Sequence, residues 1–340
     1  MANTPAIGYK FDDISEINTS KDAWAVVATP IRLWVVPSFS GKKLPYSMEL
    51  VLMDAKGGKI HASVRQSLIY KFQPLMNEGR VYQISSFGVE ESRGDFRTTG
   101  HGYKINFQFS TSVRLVKDLP INRSPYSFMP LSDVALNNPD SYYLIDVMGI
   151  LTGYSEELEF EKDGKKNKKM TIEIEQDGVR MECAFFGNYV AEVLGQIAAG
   201  DKNNAVIVIQ LAKIKPFRGK ISLQNAYGST RILFNPDVEG ANSLRQRFLE
   251  AHEPAAQVLN HLPNSGKISV SDDFLKRHWG KTVEQIKNMR ANLKPSQSFS
   301  IPLEHNRTIE HNKQNALLAT GSWGMRAWIL ESEVCLRPPW

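Results

Sequence analysis

Cysteine is almost missing from this 340-residue chain: Cys183 and Cys335 are the only two, far apart, and no CxxC pair exists. That argues against a cysteine-built zinc site and a disulfide framework. Long apolar runs are missing too. The N-terminal MANTPAIGYKFDD has no hydrophobic h-region and no stretch approaches a membrane span, so the chain is expected to be intracellular and soluble. The sequons at Asn18 and Asn306 are then chance matches. Catalytic signatures are equally scarce: no HExxH, no GxSxG with partners and no cluster of acids marks a catalytic site. LKRHWGKT (275–282) ends like a phosphate-binding loop, but it lacks the first glycine and no hydrophobic strand feeds it. His61 and His101 stand alone, as structural or surface residues. No enzyme activity, metal or cofactor is expected.

What the chain does have is a globular composition, 42% hydrophobic and 23% charged, enough for about two domains. Its net charge is +5, mildly basic and only weakly suggestive of a polyanionic partner. Between residues 22 and 117 strand-like runs dominate: AWAVVATPIRLWVV (23–36), YSMELVLMD (46–54), GKIHASV (58–64), RVYQISSFGVE (80–90) and YKINFQFSTSVRLV (103–116). Between the third and fourth, RQSLIYKFQPLMNEG (65–79) carries apolar residues at helical spacing and stops at Gly79, a suitable C-cap.

Residues 142–234 repeat that order, with a lysine-rich turn between the first two strands and NYVAEVLGQIAAG in the helix position. Gly58 matches Gly178, Phe96 matches Phe217 and Thr111 matches Thr230, each pair about 120 residues apart. Five strands with a helix between the third and fourth is the plan of the OB-fold, a small Greek-key barrel. The expected architecture is therefore mainly β: two tandem OB barrels at 1–117 and 131–250, a proline-bearing linker at 118–130, and a helical, partly disordered tail at 251–340.

AKIKPFRGKISLQNAYGSTRILFNPD (212–237) alternates like a strand, yet it sets Phe217 at a turn among Lys213, Lys215, Arg218 and Lys220. A strand phenylalanine is usually core, but single-stranded nucleic acid needs this mixture: rings for its flat bases, cations for its phosphates. Phe96 sits similarly between Arg93 and Arg97 in a glycine-rich loop. Phe185 and Phe186 are adjacent, so in a strand one must face the core and the other away from it. KDGKKNKK (162–169) is a denser cationic run. It fits a phosphate grip, a nuclear-import signal or a solvated hairpin tip equally well.

In order and spacing these pieces resemble the tandem single-strand-binding domains of the replication protein A large subunit, especially its plant-type paralogues, over about residues 5–250. The likeness rests on W-x-V-x-A-x-x-x-R-x-W (24–34), SMELVLMDAKGGKIHASV (47–64) and KFQPLMNEGRVYQIS (71–85) in the first module. In the second it rests on AFFGNYV (184–190), the 212–237 stretch and LRQRF (244–248). The resemblance implies sequence-tolerant binding of single-stranded DNA across both barrels, in the nucleus, for replication, repair and recombination. RNA binding, or a protein-interaction role for the barrels, is the alternative. It also implies one aromatic on each third strand and one on each hairpin between strands four and five: Phe186 and Phe217 in the second module, Phe96 in the first. The remaining position falls on Arg65, whose guanidinium plane can itself lie over a base. Arg32 should face phosphates, Trp24 and Trp34 should be core or rim, and the turn 37–46 with Lys42 and Lys43 should form a mobile flap. Beyond the second barrel, 236–251 and 271–293 read as helices. In the family such a segment leads to a third barrel with a cysteine-built zinc site and contacts for smaller subunits. Those cysteines have no counterpart in this sequence, so the resemblance does not extend a heterotrimer to this chain.

Overall fold

The computed structural model describes residues 11–38, 44–117, 121, 123–136, 143–162, 164–200, 202–217, 220–252 and 259–262. The expected helix at 271–293, and the tail after it, lie outside these residues.

The first module builds β1 (Ala25–Val36), β2 (Ser47–Asp54), β3 (Lys59–Arg65), α1 (Ile69–Phe72), β4 (Tyr82–Ser85), β5 (Gly88–Glu91), β6 (Tyr103–Asn106) and β7 (Ser112–Leu115). Alternation sorts its residues: Met48, Leu50 and Leu52 of β2 and Ile60, Ala62 and Val64 of β3 fill the core with Trp24, Phe72 and Tyr82. The sheet runs in the order β5-β6-β3-β2-β1-β4-β7, with β3 and β6 parallel. Two of the five expected strands are broken. The fourth divides into β4 and β5 at Ser86, which has φ 57°, and the fifth into β6 and β7. The ring therefore closes through bent strands rather than one unbroken ladder. The helix is shorter than expected: α1 is one turn, flanked by 3-10 turns, and the segment ends at Leu75. Pro74 supplies no N–H to continue it, so Gly79 lies four residues beyond the helix and caps nothing.

After α2 (Leu131–Leu136), a short helix whose Leu131 and Val134 enter the second core, come β8 (Ile145–Tyr154), β9 (Leu158–Lys162), β10 (Lys165–Gln176), β11 (Val179–Phe186), α3 (Asn188–Ala199), β12 (Val206–Phe217), β13 (Lys220–Asn225), β14 (Arg231–Phe234), α4 (Ala241–Ala251) and β15 (Asn260–His261). Pairing of β12 with β8 closes this ring. The lysine-rich run is a turn only around Gly164, between β9 and β10. Lys165–Lys169 form the first half of β10, in register with β9, so that Lys166 faces Glu161 and Lys168 faces Glu159 across the ladder. Cross-strand pairs of opposite charge let lysines occupy a strand they would otherwise disfavour. Helix α4 starts only after Gly240, at φ 86°. It lays Leu244 and Phe248 over Met148, Ile150 and Val208.

The duplication persists in side-chain detail. The Thr111 hydroxyl donates to the carbonyl of Ser86 (3.0 Å) and accepts from the Gln108 N–H (2.8 Å). The Thr230 hydroxyl donates to the carbonyl of Leu211 (2.8 Å) and accepts from the Ala226 N–H (2.7 Å). Ser86 and Leu211 both have φ 57°. Each buried threonine thus staples the strained bend of strand four to strand five in its own barrel.

The barrels also pack together. Ile31, Trp34, Val51 and Met53 of the first form one buried cluster with Leu144 and Leu211 of the second.

Candidate nucleic-acid interface

In the second barrel, Met181, Cys183 and Phe185 of β11 point inward, and Phe185 is fully buried. Glu182, Ala184 and Phe186 therefore face outward. The ladder carries that face across four strands. Lys169 of β10 lies opposite Phe186, Ala184 opposite Gln224 of β13, Gln224 opposite Lys213 of β12, and Ser222 opposite Lys215. Phe217 ends β12 in register with Lys220, so a two-residue hairpin joins β12 to β13 as expected. The side chain of Phe217 and all of Arg218 lie outside the described residues, as do Lys42, Lys43 and the rest of 39–43 in the 37–46 turn.

Phe186 is half-buried. Lys169 Nζ stands 6.0 Å from its ring centre, and Phe160 of β9 meets it edge-on at 6.3 Å. Sequence reasoning offers Lys169 only within the 162–169 run, as one of three readings, and misses Phe160, although the alternation of β10 points Lys169 to the side of Phe186. Lys213, Lys215 and Lys220 have no ion pair among the described residues. Burial lowers the Lys213 ammonium below the ordinary lysine range, and neighbouring Lys215 adds to the effect.

The first barrel supplies Phe96 from the β5–β6 loop. Its backbone is left-handed (φ 59°), and its ring is met on one face by Lys213 Nζ at 3.4 Å from the centroid. A candidate ring of one barrel and a candidate cation of the other are thus in direct contact, a pair that contributes about 0.5–1 kcal/mol at exposed sites. Arg65 ends β3, exposed.

Arg32 is not poised for phosphate. All five guanidinium N–H groups are used at the barrel junction: by the carbonyls of Ser229 (2.8 Å), Leu33 (2.8 Å), Thr230 (3.3 Å) and Gly228 (3.4 Å), and by Glu78 (3.2 Å). Glu78 also pairs with Arg231. Burial and the nearby Arg231 lower the Arg32 pKa, and Glu78 opposes them. The reason is tertiary: strand β1 turns its outward side toward the second barrel. Arg97, another expected contact, braces the same junction, with its guanidinium 4.4 Å from the Tyr143 ring centre and bonded to the Tyr143 hydroxyl (2.8 Å). Arg93 is exposed and paired with Glu91 at 2.6 Å. Trp24 lies in the core and Trp34 at the junction, within the core-or-rim expectation.

His61 Nε2 lies 2.9 Å from Glu49, and both His101 ring nitrogens bond backbone groups, so the two histidines are structural. No group of three or more His, Cys, Asp or Glu could hold a metal ion among the described residues.

The chain is 26% identical over 290 residues to a replication protein A 70 kDa DNA-binding subunit of Oryza sativa subsp. japonica, covering 81% of this chain and 29% of that protein. It is 24% identical over 295 residues to the replication protein A 70 kDa DNA-binding subunit of Danio rerio, covering 84% and 45%. This chain is similar in sequence to large subunits of replication protein A. It spans about a third of the length of the curated plant relatives it matches (29% and 37% for two of them). A family model described as "Domain of unknown function DUF223" matches residues 15–136. A solved replication protein A heterotrimer bound to ssDNA shares the fold, with a TM-score of 0.53 at 22% identity over 72% of this chain and 56% of that one.

Proposed function

We propose that the chain binds single-stranded DNA with little sequence preference, in replication, repair and recombination in the nucleus. The first barrel (1–117) and the second (131–250), joined by 118–130, hold one strand between them. The observation that carries this reading is the outward face of β10–β13: Phe186 in register with Lys169, beside Lys213, Lys215 and Lys220, with none of the last three in an ion pair among the described residues. A ring exposed on that face stacks any base, worth about 1–3 kcal/mol each, and the lysines neutralise phosphates. Phe96 continues the path onto the first barrel, and Phe217, Arg218, Arg65, Lys42 and Lys43 extend it. The relatives are named DNA-binding subunits, which supports the same reading.

The chain acts by binding, without catalysis. Fluorescence anisotropy with labelled oligo-dT, beside duplex DNA and RNA of equal length, tests it. Oligo-dT should bind clearly tightest, whereas equal affinity for duplex, or no binding, would overturn the proposal.

A further inference from the structure

Where the barrels meet they leave a cleft of about 290 Å³, at the lower end of the size range of small-ligand sites. Its apolar walls are Ile31 and Val51 of the first barrel and Leu144 and Leu211 of the second. Its polar lining is unusual. Gln210 Oε1 and Thr99 Oγ1, on residues only 2% and 7% exposed, have no hydrogen-bond partner among the described residues, and neither does the neighbouring Thr98 Oγ1. A buried polar atom left unpaired costs about 1–3 kcal/mol, so three around one cleft call for a ligand.

The backbone is bent to make the cleft. Gln210 sits at an irregularity where β12 slips against β8, and the next residue, Leu211, is held at φ 57°. Its N–H donates to Asp146 Oδ1 (3.0 Å), while Asp146 Oδ2 accepts from the Ser127 N–H (3.0 Å). A bulge of this kind re-aims one side chain, and strain at a non-glycine residue persists only where its surroundings fix it. Thr98 and Thr99 arrive from the other side, on the loop that carries Phe96 and is tied down by Arg97 on Tyr143.

We propose that this cleft takes one nucleobase of the bound strand and reads its edge, giving a base preference at a single position within otherwise tolerant binding. The inference rests on the single-strand reading above. A base has flat apolar faces, suited to the Ile31, Val51, Leu144 and Leu211 walls, and one edge of donors and acceptors, suited to Gln210 and the two threonines. Thr98, Thr99 and Gly100 of the Phe96 loop line the cleft, and Phe96 itself touches Lys213 of the second barrel.

The test uses the full chain, with anisotropy titrations of labelled oligo-dT, oligo-dC and oligo-dA of equal length. Gln210→Leu and Thr99→Val are compared with wild type, and a melting temperature is taken on each sample. Wild type should rank the three with a spread of about tenfold, the value of one hydrogen bond to a buried acceptor. Both variants should keep their melting temperature while the spread collapses. Saturation-transfer NMR should show the preferred free nucleoside in contact with wild type and not with Gln210→Leu. A wild type that binds all three alike, or well-folded variants that keep the wild-type ranking, would mean that the cleft holds only water and would overturn the inference while leaving single-strand binding intact. If wild type binds none of the three, the underlying reading itself fails.

Discussion

On the outward face of the first barrel the cations are paired: Lys104 meets Glu90 at 2.7 Å, and at the loop Arg93 meets Glu91. On the corresponding face of the second barrel Lys213, Lys215 and Lys220 form no ion pair among the described residues, although Asp95 of the Phe96 loop lies near enough to act on Lys213 electrostatically. The rings differ in the same sense. The second barrel has Phe186 at the end of its third strand, where the first has Arg65. The two barrels share a fold down to the threonine staples at Thr111 and Thr230, and they differ both in these outward residues and in the length of their helices, one turn in α1 against Asn188–Ala199 in α3. Under the proposed function, phosphate contact falls mainly to the lysines of the second barrel and docking mainly to the first. The second barrel should therefore carry most of the affinity, with the first contributing Phe96 and alignment.

The comparison is broken most severely inside the second barrel. Phe185→Ala should destabilise the fold by about 3–5 kcal/mol in urea denaturation, because a fully buried ring leaves a cavity. Its neighbour Phe186→Ala should change stability little and weaken oligo-dT binding by about 1–3 kcal/mol. If the two variants behave alike, the division of β11 into core and binding faces is wrong.

The next effect contrasts the barrels directly. Replacing Lys213, Lys215 and Lys220 with Gln should make the slope of log affinity against log salt shallower by about 2, at ~0.7 per phosphate contact. Replacing Lys104 and Lys59 of the first barrel should leave that slope within error. Lys104 is held by Glu90, and Lys59 Nζ is bonded to the Pro125 carbonyl (2.8 Å) and Ser127 (2.9 Å).

Much of this is legible in the sequence, for identifiable reasons. Strand alternation and the 120-residue repeat point to the two barrels, and the adjacency of Phe185 and Phe186 forces one in and one out. What stays hidden depends on contacts between distant residues. Arg32 meets the carbonyls of Gly228, Ser229 and Thr230 nearly 200 positions away, and no local pattern distinguishes that role from a surface arginine. The lysine run reads as a turn because lysine is a poor strand former, and its pairing with β9 supplies what propensity lacks. The bend at Ser86 depends on Thr111, a partner 25 residues on, so the fourth strand reads as continuous.

A smaller effect concerns the junction. Glu78→Gln should loosen the barrels by weakening the pairs with Arg32 and Arg231, and speed proteolysis within 118–130 by a few-fold without unfolding either barrel. Unchanged proteolysis would mean that the apolar cluster alone sets the docking. Smallest of all is a pH effect. Burial lowers the pKa of Lys213, so as pH rises this lysine loses its charge before an ordinary lysine would. Oligo-dT affinity should therefore begin to fall below the ordinary lysine pKa of ~10.4, and Lys213→Met should remove that early fall. An identical alkaline profile in wild type and variant would remove Lys213 from the phosphate path.

The central claim is an electrostatic groove with stacking rings, and the salt dependence of oligo-dT affinity in the intact chain tests it most directly. Roughly four to seven phosphate contacts, at about −0.7 each, predict a slope of log affinity on log salt of about −3 to −5. An affinity that stays flat from low to physiological salt would contradict it.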